Sequence, residues 1–301
     1  MESINLIISE WIQSFRNEFL DAFFLFITEF GDETIFLIIA AILYWTFDKR
    51  FAYRLVLFFL YGAVINGGLK FLTNSPRPYV EYPDRITLVG EGSSGTSLPS
   101  GHAQNSSILG LTLNEKSTSF GKWFSAFLFM MVGLVMLSRL YLGEHYLSDV
   151  IFGLAIAFAY YTLVNQIQAK RKIPTWVRWI PIALLIPTAF LTNDKNVYLA
   201  SASIVGFTIG FPLELKHIGF SINGQWWQQM LKVVIGLGVA LALRIGLKAI
   251  FEMGLYSTDF ENNPLFTDQL LDFTRYLIIA LWMTLGAPLL FKSLFKIKAQ
   301  Q

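Results

Sequence analysis

The 301-residue sequence has no cysteine, only three histidines and few charged residues. Without cysteine, disulfide bonds and thiolate metal sites are excluded, although this absence does not fix the cellular compartment. Charged residues make up 15% of the chain, against roughly 25% in an average soluble protein. The net charge of +2 indicates no particular charged partner, and nucleic acid is not expected as one. The N-terminal stretch MESINLIISEWIQSF has two glutamates and no early positive charge, so it matches a signal peptide poorly.

Hydrophobic residues, by contrast, account for 54% of the chain, and several apolar runs reach the roughly 17–25 residues that a membrane-spanning helix needs. We therefore predict an all-α fold, a polytopic membrane helical bundle of about nine transmembrane helices with an N-terminal interfacial helix. The nine predicted spans are residues 33–47, 53–72, 100–115, 121–140, 147–167, 177–192, 197–213, 228–250 and 270–292. In residues 5–29, Glu10, Arg16, Glu18 and Asp21 lie among large apolar side chains, which favours an amphipathic helix lying in the membrane interface.

Basic residues are distributed unevenly over the connections between these spans. With nine spans, one side of the membrane collects the connections that contain Lys49, Arg50, Arg54, Lys116, Lys122, Lys170, Arg171, Lys172, Arg178, Lys216, Lys292, Lys296 and Lys298. The opposite side is richer in acidic residues, namely Glu81, Asp84, Glu91, Asp194, Glu252, Asp259, Glu261 and Asp268. Because short basic loops mark the cytoplasmic face, we predict a cytoplasmic C-terminus and an extracytoplasmic N-terminus. Segments 73–99 and 139–149 then lie on the extracytoplasmic side.

One predicted span starts with a polar motif, Pro99-Ser100-Gly101-His102. Proline at a helix entry and serine as the N-cap predict a helix that begins here. The unpaired N–H groups of its first turn and the positive end of the helix dipole favour a bound anion, and Gly101 permits close approach. His102 is expected to point to the same place. The following Gln104-Asn105-Ser106 is predicted to face the bundle interior, because these residues would be costly against lipid.

A second polar cluster comprises Arg139, His145 and Asp149. His145 and Asp149 are four residues apart, so on a helix they share one face. A carboxylate that binds one ring nitrogen leaves the other basic and oriented, as in an activated nucleophile or base. Arg139 can offer a bidentate fork to phosphate, and Lys70 and Arg77 add two cations. Three cations, a helix N-terminus and two histidines suit a phosphoryl group best, because phosphoryl transfer depends on positioning and charge neutralisation.

These residues resemble the type 2 phosphatidic acid phosphatase superfamily, which is marked by the motifs K-x6-RP, PSGH and SR-x5-H-x3-D. The sequence contains Lys70-x6-Arg77-Pro78, Pro99-Ser100-Gly101-His102 and Ser138-Arg139-x5-His145-x3-Asp149, so every motif position and spacing matches. The resemblance implies that His145 attacks phosphorus to form a phosphohistidine, that Asp149 holds His145, and that His102 protonates the leaving oxygen. It also implies a phosphate site without metal or cofactor, made of Lys70, Arg77, Ser100, Gly101 and Arg139.

The resemblance implies a metal-independent membrane phosphatase. The expected substrate is a phosphomonoester or diphosphate of a lipid, such as phosphatidate, phosphatidylglycerophosphate, an isoprenyl diphosphate or a sphingoid phosphate. The motifs lie at the ends of predicted spans, which favours a tailed substrate at the outer leaflet of a plasma or inner membrane. Three alternatives stay open: a phosphatase of a soluble sugar phosphate, a phosphotransferase with an acceptor other than water, and a non-catalytic lipid-binding protein. The sequence predicts no particular oligomeric state.

The chain is predicted to have three parts: an N-terminal interfacial amphipathic helix at 1–30, a phosphatase core with the three motifs at 31–167, and additional C-terminal transmembrane helices at 168–301. Outside the phosphate site, Ser138 and His217 are interpreted as structural. Arg244 or Lys248 is hypothesised to pair with Asp272, because charges within spans tend to be paired.

Overall fold

The computed structural model describes residues 4–93, 95–170, 182–183, 195–257 and 264–295, and within these ranges every regular element is a helix. The helices before residue 171 are α1 Ile4–Gln13, α2 Glu18–Thr28, α3 Glu33–Thr46, α4 Lys49–Thr73, α5 Pro78–Glu81, α6 Gly101–Asn114, α7 Ser117–Phe120, α8 Lys122–Tyr141 and α9 Leu147–Lys170, with a 3₁₀ turn at Glu29–Gly31. The later ones are α10 Lys195–Leu213, α11 Trp226–Glu252, α12 Phe266–Leu281 and α13 Ala287–Phe295. π turns at Glu214–Ile218 and Trp282–Gly286 follow α10 and α12.

Six helical runs in the described ranges are long and apolar enough to cross a membrane, which makes this a multi-pass membrane protein but does not confirm nine spans. They are Lys49–Glu81, Lys122–Tyr141, Leu147–Gln166, Lys195–Ile218, Trp226–Glu252 and Phe266–Phe295. The spans predicted at 33–47 and 100–115 form helices of 14 residues each. At a rise of 1.5 Å per residue, such a helix is about 21 Å long, short of a hydrocarbon core of about 30 Å. The span predicted at 177–192 lies outside the described residues except for 182 and 183.

The N-terminal segment forms two helices, whereas the sequence predicted one. The break falls at residues 14–17, where Asn17 becomes the N-cap of α2 and accepts the N–H of Leu20 at 3.0 Å. Arg16 pairs with Asp21 at 3.0 Å and so neutralises one of the charges in this segment. The buried faces of α1 and α2 pack on α8, where the rings of Phe24 and Tyr141 are 4.4 Å apart.

The chain divides into two compact units. The first comprises Met1–Phe36 and Ile65–Lys172. At its centre α6 packs against both α8 and α9. The two glycines on these contacts are tightly placed: a Cβ at Gly110 would lie 2.8 Å from Val132, and one at Gly153 would lie 2.6 Å from the Ser100 carbonyl oxygen. All three motifs belong to this unit.

The second unit comprises Leu37–Val64 and Ile173–Gln301. Two of its lysines are paired within the unit: Lys49 contacts Glu214 at 2.8 Å, and the fully buried Lys232 donates to three carbonyl oxygens of residues 221–223. The hypothesised pairing of Asp272 with Arg244 or Lys248 is wrong. Asp272 instead pairs with Arg275 of its own helix at 2.5 Å, because residues three apart share a helix face, and Lys248 pairs with Glu252.

Candidate active site

The helix that carries the PSGH motif begins where it was predicted to begin. Ser100 is its N-cap, and the Ser100 hydroxyl oxygen accepts the N–H of Ala103 at 3.4 Å. The N–H of Ser100 itself donates to the carbonyl oxygen of Asp149 at 3.0 Å. The close approach of α9 at Gly153 allows this bond, because any side chain there would meet the Ser100 carbonyl. The second and third motifs therefore meet where α6 and α9 cross.

The polar residues that follow His102 point inward, as predicted for Gln104 and Ser106. Gln104, Ser106 and Ser107 are buried, whereas Asn105 is partly buried. Gln104 accepts a hydrogen bond from the side-chain amide of Asn66 at 3.0 Å, and that amide also lies 3.4 Å from the Pro99 carbonyl. These bonds tie α4 to the start of α6, so the helix dipole of α6 is held in a fixed direction.

His145 lies in a tight turn that joins α8 to α9. Gly143 in this turn has φ +76°, and a Cβ there would lie 2.7 Å from the Thr87 carbonyl oxygen, so both the turn and its packing require glycine. The N–H of His145 donates to the carbonyl oxygen of Arg139 at 3.2 Å. The turn therefore returns His145 to the end of α8, and its side chain is 2% exposed.

A serine that the sequence analysis did not single out lies between His145 and Asp149. The Ser97 hydroxyl donates to Asp149 Oδ2 at 2.6 Å and lies 3.3 Å from His145 Nδ1. The direct distance from Nδ1 to Asp149 Oδ2 is longer, at 3.6 Å. Since the hydroxyl proton goes to the carboxylate, the hydroxyl oxygen can accept the proton of Nδ1. The shortest path from Asp149 to the His145 ring therefore runs through Ser97, and the same carboxylate oxygen also accepts the N–H of Tyr146 at 2.9 Å.

The opposite ring nitrogen of His145 faces a cation. His145 Nε2 lies 3.4 Å from Nη1 of Arg77. With the proton held on Nδ1, Nε2 carries a lone pair and is placed beside a guanidinium that can bind a phosphoryl oxygen. Burial, and then the positive charges of Arg139, Arg77 and Lys70, hold the pKa of His145 well below its ordinary value of 6.5. The imidazole is therefore neutral at pH 7, as a nucleophile must be.

Arg77 and Arg139 converge on one carboxylate, that of Glu144. Nη1 of Arg77 contacts Glu144 Oε2, and Nη2 of Arg139 lies 3.4 Å from the same oxygen. Arg139 also donates to the Thr28 hydroxyl at 2.7 Å, while its Nε is buried and has no hydrogen-bond partner among the described residues. Both arginine side chains are less than 5% exposed. The two guanidinium groups thus form a buried anion site, and an acidic side chain occupies it.

His102 lies in the first turn of α6 and packs against the 3₁₀ turn after α2. A Cβ at Gly31 would lie 2.9 Å from His102 Cβ and 2.7 Å from Val135 Cγ1, so glycine is required at this contact. The ring interacts electrostatically with His145 and with the same cations, Arg139, Lys70 and Arg77. Lys70 lies in the last turn of α4, and its carbonyl oxygen accepts a hydrogen bond from the Thr96 hydroxyl at 3.3 Å.

The structure therefore brings together the residues that the sequence placed in one site: Lys70, Arg77, Ser100, Gly101, His102, Arg139, His145 and Asp149. Sequence reasoning missed Ser97, Glu144 and Gly31. Ser97 lies two residues before the PSGH motif and Glu144 directly precedes His145, so proximity to a motif was the only available signal. Ser138 is buried and donates to the Val135 carbonyl at 2.6 Å, in keeping with a structural role. Within the described ranges no group of three or more His, Asp or Glu residues is placed to hold a metal ion.

Comparison with known proteins gives two matches to sequence profiles. The profile described as PAP2 superfamily matches residues 51–173, which include all three motifs. The profile described as PAP2 superfamily phosphatase, transmembrane extension, matches residues 198–300. The chain belongs to the PAP2 superfamily. The second match accounts for the helices after α9 as an extension that accompanies this superfamily.

Individual PAP2 relatives are lipid phosphatases by name. The chain is 24% identical over 220 residues to lipid phosphate phosphatase delta of Arabidopsis thaliana, covering 66% of this chain and 52% of the relative. It is 29% identical over 262 residues to sphingosine-1-phosphate phosphatase 1 of Rattus norvegicus, covering 75% and 59%. A transmembrane PAP2 type phosphatidylglycerolphosphate phosphatase from Bacillus subtilis is 21% identical, with a TM-score of 0.48 over 56% of this chain and 87% of that structure. The chain spans about half the length of the curated relatives it matches.

Proposed function

We propose that this PAP2 chain is an integral membrane phosphatase that hydrolyses a phosphomonoester or diphosphate of a lipid through a phosphohistidine. One observation carries the proposal: His145 has its Nδ1 side held by Ser97 and Asp149, and its Nε2 lies 3.4 Å from Arg77. This geometry supports an in-line nucleophile beside a cation that neutralises phosphoryl oxygens. The names of the relatives, which act on lipid or sphingoid phosphates, support a tailed substrate.

The proposed reaction has two steps. In the first step, Nε2 of His145 attacks phosphorus and forms the N–P bond while the bond between phosphorus and the leaving oxygen breaks. Protonated His102 gives its proton to that leaving oxygen and becomes neutral. Lys70, Arg77, Arg139 and the start of α6 hold the phosphoryl oxygens in both steps. In the second step a water molecule gives a proton to the neutral His102 and attacks phosphorus. The N–P bond then breaks, which releases inorganic phosphate and restores both histidines.

The test is phosphate release by the purified protein in detergent, with EDTA present. The panel contains phosphatidate, phosphatidylglycerophosphate, an isoprenyl diphosphate, sphingosine 1-phosphate and glucose 6-phosphate. His145→Ala is expected to abolish release, and His217→Ala is the matched control, because His217 is exposed and lies in the second unit. Release from a tailed substrate that requires His145 supports the proposal. Release from glucose 6-phosphate alone, or from no substrate, would contradict it and favour a sugar phosphatase, a transferase or a lipid-binding protein.

We also propose that the site opens on the extracytoplasmic side, because the basic residues cluster in the connections of the other side. The lack of native cysteine makes this testable by single-cysteine labelling. Asp84→Cys and Lys122→Cys each place a thiol at an exposed position. A membrane-impermeant maleimide is expected to label intact cells at position 84, and at position 122 only after permeabilisation. The reverse pattern would place the site on the cytoplasmic side.

A further inference from the structure

Glu144 is the residue at the centre of the site that the proposed mechanism does not use. Its side chain is 2% exposed and is surrounded by donors: Arg77 and Arg139 contact Oε2, and the N–H and hydroxyl of Ser93 donate to Oε1 at 2.9 and 3.1 Å. A buried carboxylate with this many partners is firmly seated. It nevertheless occupies the guanidinium nitrogens that the substrate needs.

The conflict is at a single atom, Nη1 of Arg77. This nitrogen contacts Glu144 Oε2 and also lies 3.4 Å from His145 Nε2. A phosphoryl group in line with Nε2 brings its oxygens to the same guanidinium. Phosphate oxygens and Oε2 of Glu144 therefore compete for Arg77, and Arg139, which shares Oε2, is drawn into the same exchange.

The outcome of this exchange depends on charge. A phosphomonoester carries about −1.5 to −2 at pH 7, whereas a phosphodiester, like the carboxylate, carries only −1. Replacing Glu144 by a dianion gains attraction to two buried cations, but replacing it by another monoanion gains none. A membrane phosphatase is surrounded by phosphodiester headgroups at high local concentration, so this difference has a direct consequence for what occupies its site.

We propose that Glu144 is a built-in competitor for the anion site: its carboxylate occupies the paired arginines in the free protein, so an anion must bind strongly enough to displace it. Dianionic phosphate meets this requirement at low concentration, whereas the more weakly attracted monoanionic headgroups of bilayer phospholipids are kept from blocking the site. The inference rests on the proposed function, because it assumes that phosphate binds between Arg77, Arg139 and His145. It goes further by assigning the exclusion of weakly bound anions to Glu144, a variable position of the third motif.

The test compares the binding of two probes, inorganic phosphate and dimethyl phosphate, by calorimetry on the full chain in detergent at a pH where phosphate is a dianion. In the unchanged protein, phosphate is expected to bind and dimethyl phosphate to bind far more weakly. In Glu144→Gln, which keeps the size but removes the charge, both probes should bind about tenfold or more tightly, because a competitor that both anions displace weakens both by the same factor. Dimethyl phosphate should thereby reach an affinity that the unchanged protein does not show.

Two further variants make the result specific to Glu144. Glu91→Gln removes the same charge from an exposed position close to Ser93 in sequence, and both affinities should be unchanged. Glu144→Asp keeps the charge, so dimethyl phosphate should still bind weakly. Preparing Glu144→Gln in phosphate buffer supplies an anion to the arginines during folding, and dialysis then removes it. If Glu144→Gln still fails to fold, tight binding of dimethyl phosphate by Glu144→Asp overturns the proposal.

Unchanged affinities in Glu144→Gln, or weaker binding of both probes, would overturn the inference and leave Glu144 as a counter-ion that merely holds the arginines. The proposed phosphatase function would survive that result, because phosphate would still bind to the unchanged protein. Failure of phosphate to bind even the unchanged protein would overturn both proposals. Turnover is not needed for any of these comparisons.

Discussion

Removing the Ser97 hydroxyl should disable His145 without disturbing the phosphate-binding cations. Ser97→Ala leaves His145 Nδ1 facing Asp149 Oδ2 at 3.6 Å, beyond ordinary hydrogen-bond distance. A buried polar group left without its partner costs about 1–3 kcal/mol. Since each 1.36 kcal/mol corresponds to a factor of ten in rate, kcat should fall by about ten- to a hundredfold.

The assay is steady-state hydrolysis of whichever lipid phosphate gives the highest rate, with kcat and KM determined separately. Because the side-chain hydrogen bonds of Ser97 go to His145 and Asp149, KM should change by less than about threefold. Ser106→Ala is the matched control: it also removes a buried hydroxyl, but one that bonds only to the Ala103 carbonyl, at 3.2 Å. Its kcat should equal that of the unchanged protein.

The pH dependence separates an orienting role from a general loss of stability. Without Ser97 nothing fixes the proton on Nδ1, so a smaller fraction of His145 has its lone pair on Nε2. The loss in kcat should therefore persist at every pH above the acid limb, when both variants are assayed well below their melting temperatures. If Ser97→Ala retains full kcat, or if Ser106→Ala loses as much, the relay through Ser97 is refuted.

Three further predictions concern the nucleophile and its supports. Protonated His145 cannot attack, and its pKa is lowered, so the acid limb of the kcat/KM profile should lie below about pH 6.5. Lys70→Gln removes one of the responsible cations and should move this acid limb to higher pH, which a profile from about pH 4 to 9 will show or contradict. Gly31→Ala places a methyl group 2.9 Å from His102 Cβ and should lower kcat by at least about tenfold. The control Gly68→Ala changes a helical glycine with open space around it and should leave kcat unchanged; equal activities of the two variants would show that His102 tolerates the displacement. Gly153→Ala forces α9 away from the Ser100 carbonyl and should lower the free energy of unfolding by about 1–3 kcal/mol. Its melting temperature should be lower than that of Gly133→Ala, which changes a glycine in open space; equal melting temperatures would show that the crossing of α6 and α9 can relax.

The features that the sequence predicted correctly depend on near neighbours in the chain. The N-cap at Ser100 needs only the residues of the next turn, and the inward face of Gln104 and Ser106 follows from their cost against lipid. Most predicted spans coincide with helices because apolar length is itself a local property. Of the three spans that are not confirmed, 33–47 and 100–115 form helices too short for that criterion, and 177–192 lies outside the described residues except for 182 and 183. The helix Gly101–Asn114, for example, buries Gln104, Ser106, Ser107 and Thr112 against protein.

The N-terminal segment and the pairing of Asp272 show how neighbouring residues can mislead. The charged residues within 5–29 predicted one interfacial helix, but in the structure α1 ends at Gln13 and α2 begins at Glu18. Asp272 was matched to charges at the end of another helix, yet Arg275, three residues along its own helix, takes the carboxylate at 2.5 Å. In both cases a short-range contact prevailed, because it orders fewer degrees of freedom than a contact between helices.

The sequence by itself determined the membrane class, the three motifs and the identities of the cations, histidines and carboxylate, since each rests on composition or on spacing within a few helical turns. Only the tertiary structure decided how these groups meet. Ser97 reaches His145 and Asp149 across 48 and 52 residues, and Glu144 reaches Arg77 across 67. Such contacts are fixed by helix crossings at Gly153 and Gly31, where the lack of a side chain lets backbones approach. Packing of this kind depends on the shapes of several helices at once, so no local pattern encodes it.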